Sequence, residues 1–311
     1  MAEPTVKRGR RGTGRILLEA IGFLFLAYLA YTLVAGAFLS GPETVSGPDG
    51  ALYAAGPEEA RNAKLIVAPG VSVELLPSAA ALAEARFDRF DVSDRGVVLV
   101  GHNNRIVDML SNDPLLEGNN EIRSFGFVGG GGLAMVDEAG MLGVYDGGKF
   151  RPVGPAPIPA AVLTPSSDRT RLFLHREDGD GSGESPAIVA VGNERRPQIL
   201  TGSFTPILAV GGDAFQTYYA DGNSLFQILA PGKPNLVLTL PEPTQNILGI
   251  AVGGGAVYFA TSHAVYLVDG DVVIPIVIGI GGDLRIRGSD LYVLAAEFGR
   301  VYRIHVADTP Q

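Results

Sequence analysis

The sequence predicts an all-β fold, a β-propeller, preceded by a single N-terminal transmembrane helix. Three observations predict it: an apolar run of 24 residues close behind a basic leader, 42 glycines and 21 prolines spread along 311 residues, and strand-length apolar segments that recur roughly every forty residues. Glycine and proline at that density mark many tight turns between short strands. A hydrophobic content of 46% with 18% charged residues describes a chain that buries a core and excludes a disordered one. Cysteine is absent, which excludes disulfides, thiolate nucleophiles and cysteine-ligated zinc or iron–sulfur centres.

In chain order, residues 1–15 form a basic cytoplasmic leader, residues 16–39 the transmembrane helix and residues 40–311 an extracytoplasmic β-propeller domain. Lys7, Arg8, Arg10, Arg11 and Arg15 face only Glu3, and this asymmetry holds the N-terminus in the cytoplasm. Ile16 to Leu39 extend about 36 Å at ~1.5 Å per helical residue, enough to cross a hydrocarbon core of ~30 Å. The lone charge, Glu19, stands four residues after Arg15 on the same helical face, so a local ion pair at headgroup level accounts for it. Ala35-Gly36-Ala37 satisfies the small-x-small rule of a cleaved signal peptide, but the apolar stretch exceeds a usual signal core of ~7–15 residues and favours a retained anchor. The expected location is a single-pass protein of the cell's inner membrane with its C-terminal domain in the periplasm or an equivalent space.

From Ser40 onward the charge reverses, with 31 acidic against 19 basic residues, a net of about −12. Such a surface repels polyanions, so nucleic acid and anionic headgroups are poor partners for it.

The repeat is clearest from Ile247 to Ile278: an apolar strand, a glycine turn, a second strand bearing an aromatic, a third strand, the turn Asp269-Gly270, and a fourth. Taking the large residue of each second strand as a marker, units fall at Tyr53, Leu99, Met135, Phe173, Tyr219, Tyr258 and Tyr292. That spacing favours seven blades, with six also compatible. Ser78 to Phe90 is expected as a short alanine-rich helix and Glu177 to Ser185 as a polar loop. The last unit, ending at Val306, lacks a fourth strand, and a strand from the first ordered segment is expected to close the ring.

Few motifs carry chemistry. Gly129 to Gly132 with Ala134 satisfies a dinucleotide-type glycine pattern, but similar glycines at Gly211-Gly212, Gly253 to Gly255 and Gly281-Gly282 are read as turns between first and second strands. Asp178, Asp180 and Ser182, with Gly183, place oxygen ligands as a calcium loop does, although position twelve is Val189; the alternative is a flexible hairpin loop. His102, His175, His263 and His305 lie in different units with no zinc spacing and are read as surface or packing residues. His102, Asn103, Asn104 and Arg105 form a polar hairpin turn that is also the candidate for ligand or partner contact at a disc face. No Gly-x-Ser-x-Gly elbow occurs.

The units resemble NHL-like repeats of the β-propeller superfamily. Gly41-Pro-Glu-Thr-Val-Ser-Gly-Pro-Asp-Gly-Ala-Leu-Tyr53, directly after the anchor, looks like the start of strictosidine-synthase-like and adipocyte-plasma-membrane-associated-protein-like propellers. That resemblance implies a calcium held on the ring axis by a glutamate near this point and by Asn or Asp on the inner strands, as in the related lactonases. Glu43 is the one position that carries over. The inner strands instead read Ala-Val-Gly-Gly, Gly-Ile-Gly-Gly or Phe-Val-Gly-Gly.

Motif poverty leads to the expectation of a non-catalytic interaction or assembly scaffold docking an envelope or membrane protein, without a cofactor. The alternative is a calcium-dependent lactonase or esterase-type hydrolase with Glu43 among its metal ligands.

Overall fold

A computed structural model describes residues 45–46, 52–53, 64–82, 85, 87–102, 104–117, 121–146, 149–158, 161–176, 186–192, 197–202, 206–242, 244–270, 272–296 and 299–307. The leader, the 16–39 segment, Glu43, Asn103 and the 177–185 loop with Asp178, Asp180 and Ser182 lie outside them. Among the described residues no helix is long and apolar enough to cross a membrane.

The chain folds as a six-bladed β-propeller, each blade built on four antiparallel strands, with one sheet extended to seven by N-terminal strands. Blade 1 comprises Arg89–Val92, Val98–His102, Arg105–Asp108 and Pro114–Glu117; blade 2, Ile122–Phe127, Leu133–Asp137, Met141–Asp146 and Lys149–Pro155. Blade 3 comprises Ala161–Pro165, Arg171–Arg176, Pro186–Gly192 and Pro197–Gly202; blade 4, Ile207–Gly212, Thr217–Asp221, Ser224–Ala230 and Lys233–Thr239. Blade 5 comprises Gly249–Gly253, Ala256–Ala260, Ala264–Asp269 and Val272–Ile278; blade 6, Asp283–Arg287, Asp290–Ala295, Arg300–Val306 and, from the N-terminal side of the chain, Val71–Leu75. The first strand of each blade lies innermost, and the ring closes where the inner strand of blade 6 meets that of blade 1.

Six of the seven markers fall on the second strand of a blade. Tyr53 does not head a seventh, because Val45–Ser46 and Leu52–Tyr53 make a hairpin of two-residue strands, too short for a sheet of their own. The hairpin continues into Lys64–Val67, which extends the outer edge of blade 5 through Val277↔Val67 and Ile278↔Ile66. The chain then turns at Gly70, whose φ of 79° suits glycine, and Val71–Leu75 pairs with the third strand of blade 6, Val73 opposite Ile304. The expected N-terminal closure is therefore present.

Period-two alternation explains why both faces of each blade are apolar. In blade 2, Met135 packs towards blade 1 with Leu99, Ile106 and Phe125, whereas Ala134 and Val136 pack towards blade 3 with Leu163, Leu174 and Val189. Equivalent clusters fill all six seams, so every blade is stabilised by burying two faces against neighbours.

Two further expectations change. Between Ser78 and Phe90 the described residues hold only a 3-10 turn at Ala80–Leu82, because Leu82 and Phe87 are drawn into the seam between blades 6 and 1 and the inner strand begins at Arg89. Gly281-Gly282 precedes the inner strand of blade 6 instead of following it. A Cβ at Gly281 would overlap the Thr261 carbonyl, so close backbone packing explains this pair.

Candidate functional site

Antiparallel order sets the N-terminal ends of the six inner strands, and the hairpins between second and third strands, on one face of the disc. Turns between first and second strands lie on the other. His102 and Arg105 are paired across one such hairpin of blade 1, with Asn104 half-buried in its turn. The predicted contact turn thus borders the face that carries the N-terminal ends of the inner strands. Arg89 begins the inner strand beside it, paired with Gly101.

Along the axis the blades differ sharply. Those of blades 4 and 5 are apolar and glycine-rich, Ile207–Gly212 and Gly249–Gly253, and approach so closely that a Cβ on Gly211 would overlap the Ile250 carbonyl. Blades 1 and 6 instead present charges at alternate positions: Arg89 and Asp91, then Asp283, Arg285 and Arg287. Alternation in an inner strand sends such residues to one face, so the charges gather on one side of the axis.

Asp91, fully buried, is the hub. Its Oδ2 accepts the Phe127 amide of blade 2 at 2.7 Å, and its Oδ1 accepts the Val92 amide at 2.8 Å and Arg287 Nη2 at 3.0 Å. The Val92 carbonyl accepts Arg287 Nε at 2.8 Å and Arg169 Nη2 at 2.7 Å. Arg169 comes from the first turn of blade 3, holds a φ of 60°, pairs with Asp94 at 2.8 Å and lies 5.0 Å from the Phe127 ring centre. Blades 1, 2, 3 and 6 are thus joined across the axis. Burial pulls the Arg287 pKa below the usual arginine value, opposed by Asp91. Space at mid-axis shrinks to about 10 Å³, so the ring is plugged there.

Above the plug, at the N-terminal ends of the inner strands, is a cavity of about 50 Å³ bordered by Arg89, Thr164, His175, Val210, Asp283 and Arg285. Arg285 donates from Nη1 to Asp283 Oδ1 at 2.6 Å and to the Leu284 carbonyl at 2.7 Å, and its guanidinium lies 5.3 Å from the Phe90 ring centre. Arg89 donates from Nε to the Arg123 carbonyl at 3.2 Å. His175, on the second strand of blade 3, is 2% exposed, and neither ring nitrogen has a hydrogen-bond partner. Burial, reinforced by the positive charges of Arg89 and Arg285, lowers its pKa to about 3, so the imidazole is neutral at physiological pH.

Two other histidines, His263 and His305, do not join it. His263 is exposed, and His305 pairs with Asp290 at 2.7 Å on the disc rim. Among the described residues no group of three or more His, Asp or Glu could hold a metal. Calcium takes 6–8 oxygen ligands. Here the two inner-strand carboxylates on the axis, Asp91 and Asp283, are each engaged by a guanidinium, and the fixed positive charge repels a divalent cation. The described residues of the axial mouth therefore do not fit the calcium that the resemblance implies.

Arg89, Asp283 and Arg285 were not singled out from sequence, and His175 was read as packing. The available signal was charge at alternate positions of a short apolar strand, in Arg89-Phe90-Asp91 and Asp283-Leu284-Arg285-Ile286-Arg287.

No known family profile and no curated protein matches the sequence. Solved structures match by fold. One is the X-ray structure of a protein described as a gluconolactonase, with TM-score 0.56 and 13% identity over 81% of this chain and 96% of that one. A second is a gluconolactonase of Xanthomonas campestris important in glucose secondary metabolic pathways, with TM-score 0.54 and 11% identity over 78% and 97%. A third is the extracellular domain of a hybrid two-component system from B. thetaiotaomicron, with TM-score 0.51 and 14% identity over 76% of this chain but 34% of that one. At these identities the shared property is the fold. The expectation of a non-catalytic scaffold is corrected by these matches: the two structures spanned almost whole are described as gluconolactonases. Motif poverty misled because the groups at the mouth come from separate blades and leave no local signature.

Proposed function

We propose that the chain is a lactonase or esterase-type hydrolase that opens small esters at the axial mouth. The observation that carries the reading is a neutral, buried and unpartnered imidazole beside two guanidiniums, in a fold shared with gluconolactonases. A water held against His175 transfers a proton to the ring as its oxygen bonds to the ester carbonyl carbon. The carbonyl oxygen becomes an oxyanion stabilised by Arg285 and Arg89, which are fixed beforehand and need no reorganisation. Collapse breaks the bond to the ester oxygen, and His175 returns its proton to that leaving oxygen. The net change is lactone plus water to hydroxy acid. Burial keeps the ring unprotonated, and the growing oxyanion raises its basicity as the proton arrives. Asp283 orients Arg285 for this role. No step requires a metal.

The test is a pH-stat assay of glucono-lactone opening by the full chain in the presence of a chelator. Acceleration over spontaneous opening is expected, falling about 10²–10³-fold in His175→Gln and in Arg285→Met. Equal rates in wild type and both variants, or no acceleration across a panel of lactones, would sink the reading. The basic leader and apolar 16–39 segment support placing this activity outside the cytoplasm; protease added to intact spheroplasts should then digest residues 40–311.

A further inference from the structure

We propose that the seam between blades 2 and 3 binds a single-chain aliphatic carboxylate, its hydrocarbon body in the open end of the seam and its head on Arg151. The site goes beyond the hydrolase reading and shares no residue with the axial mouth.

Ala134, Val136, Leu163 and Leu174 fill the seam, whereas Val128, Val144, Leu172 and Val191, packed against the same cluster, are only partly buried. Those four border a cavity of about 700 Å³, within the ~300–1,000 Å³ of small-molecule sites. A β-bulge beside it shapes the outer wall. Leu142 is paired with Gly154 and Gly143 with Pro152, so Val153 is passed over, stands 60% exposed, and the fourth strand of blade 2 bends there. Apolar matter laid against these side chains removes them from water.

Charge selects the head group. Among the described residues the lining carries arginines and no carboxylate, although the chain as a whole stands at −9. Arg169 is already engaged by Asp94 and the Val92 carbonyl, and Arg171 donates to the Ala214 carbonyl. Arg151 is exposed and has no ion pair among the described residues. It is paired directly with Val144, so both side chains leave the sheet on the same side and the guanidinium lies at the edge of the apolar lining. A docking peptide strand fits poorly, because Pro152 and Pro155 in one bordering strand and Pro197 in the other lack the N–H that strand addition uses. A neutral amphiphile leaves Arg151 without a counter-charge, and a short acid leaves the valines wet. An acyl carboxylate answers both.

The experiment is photo-crosslinking of the full chain, held in amphipol, with dodecanoate carrying a diazirine at its tail, followed by peptide mapping; the matching dodecanol probe is the neutral control. Adducts are expected on the peptides that carry Val144 and Val191, competed by unlabelled dodecanoate and not by acetate. Mapping separates them from any adducts on the apolar 16–39 segment. Arg151→Glu should lower labelling of the cleft by the acid roughly fivefold, the most that loss of an exposed ion pair gives, and leave labelling by the alcohol unchanged. Val144→Trp, which fills the cavity, should lower both at least tenfold. Val144 is half-buried, so Arg151→Glu, at an exposed position, decides if the tryptophan variant does not fold. Labelling confined to residues 16–39 or spread evenly over the propeller, equal labelling of the cleft by acid and alcohol, or labelling by the acid that Arg151→Glu leaves unchanged would overturn the site. A cleft protected because two copies associate through it would assign this face to a second chain and overturn it as well.

Discussion

Burial of His175 between two guanidiniums ties the stability of the fold to pH. Its pKa falls from 6.5 in the unfolded chain to about 3 in the folded one. Above pH 6.5 the ring is neutral in both states and contributes no pH dependence. Between pH 6.5 and 3 the unfolded chain binds a proton that the folded chain does not, so stability decreases as pH falls, by a few kcal/mol at about 1.4 kcal/mol per unit, and the loss is complete below pH 3. Urea unfolding of His175→Gln should therefore be flatter than wild type between pH 6.5 and 4; parallel curves would mean that the ring titrates normally. Asp91 stabilises the axis through Arg287 and the Phe127 amide. Removing it in Asp91→Ala leaves Arg287 buried without its counter-charge and the Phe127 amide without an acceptor, a loss of roughly 3–5 kcal/mol readable as a lower urea midpoint.

At the scale of single strands, Val71–Leu75 decides whether the ring closes. It pairs along the third strand of blade 6 through five residues, with Val73 and Leu75 buried in the seam between blades 5 and 6. Just before it, Lys64–Val67 covers the outer strand of blade 5. A chain beginning at residue 77 loses both and exposes two unpaired apolar edges, Val272–Ile278 and Arg300–Val306. Light scattering should show this truncation aggregating, whereas a chain beginning at residue 40 should stay monodisperse if closure is what keeps the edges apart. The six second strands were legible because each places a large residue in a seam at a near-constant spacing. Tyr53 carried the same outward signature, but its neighbours form strands of only two residues, and strand length depends on pairing partners that spacing does not report.

For the whole propeller, stability is distributed over six similar seams, with the inner strands covered on both sides and the outer strand of blade 4 facing solvent. Hydrogen exchange should rank the amides accordingly: Ala209–Val210, Ile250–Val252 and Leu284–Ile286 slowest, Lys233–Leu236 at the blade 4 edge fastest. Uniform protection across a blade would contradict this layering. The sequence by itself determined the all-β class, the repeating unit, the late closure by an early strand and the acidic surface, because each follows from local periodicity, turn residues or summed charge. Only the tertiary structure decided that six blades close the ring, that Arg89, His175, Asp283 and Arg285 meet at one mouth, and that arginines instead of carboxylates dominate the axis. The reason is physical: burial and hydrogen bonding on the axis depend on residues from different blades, up to 196 positions apart in the Asp91–Arg287 pair, and no local pattern records which of them meet.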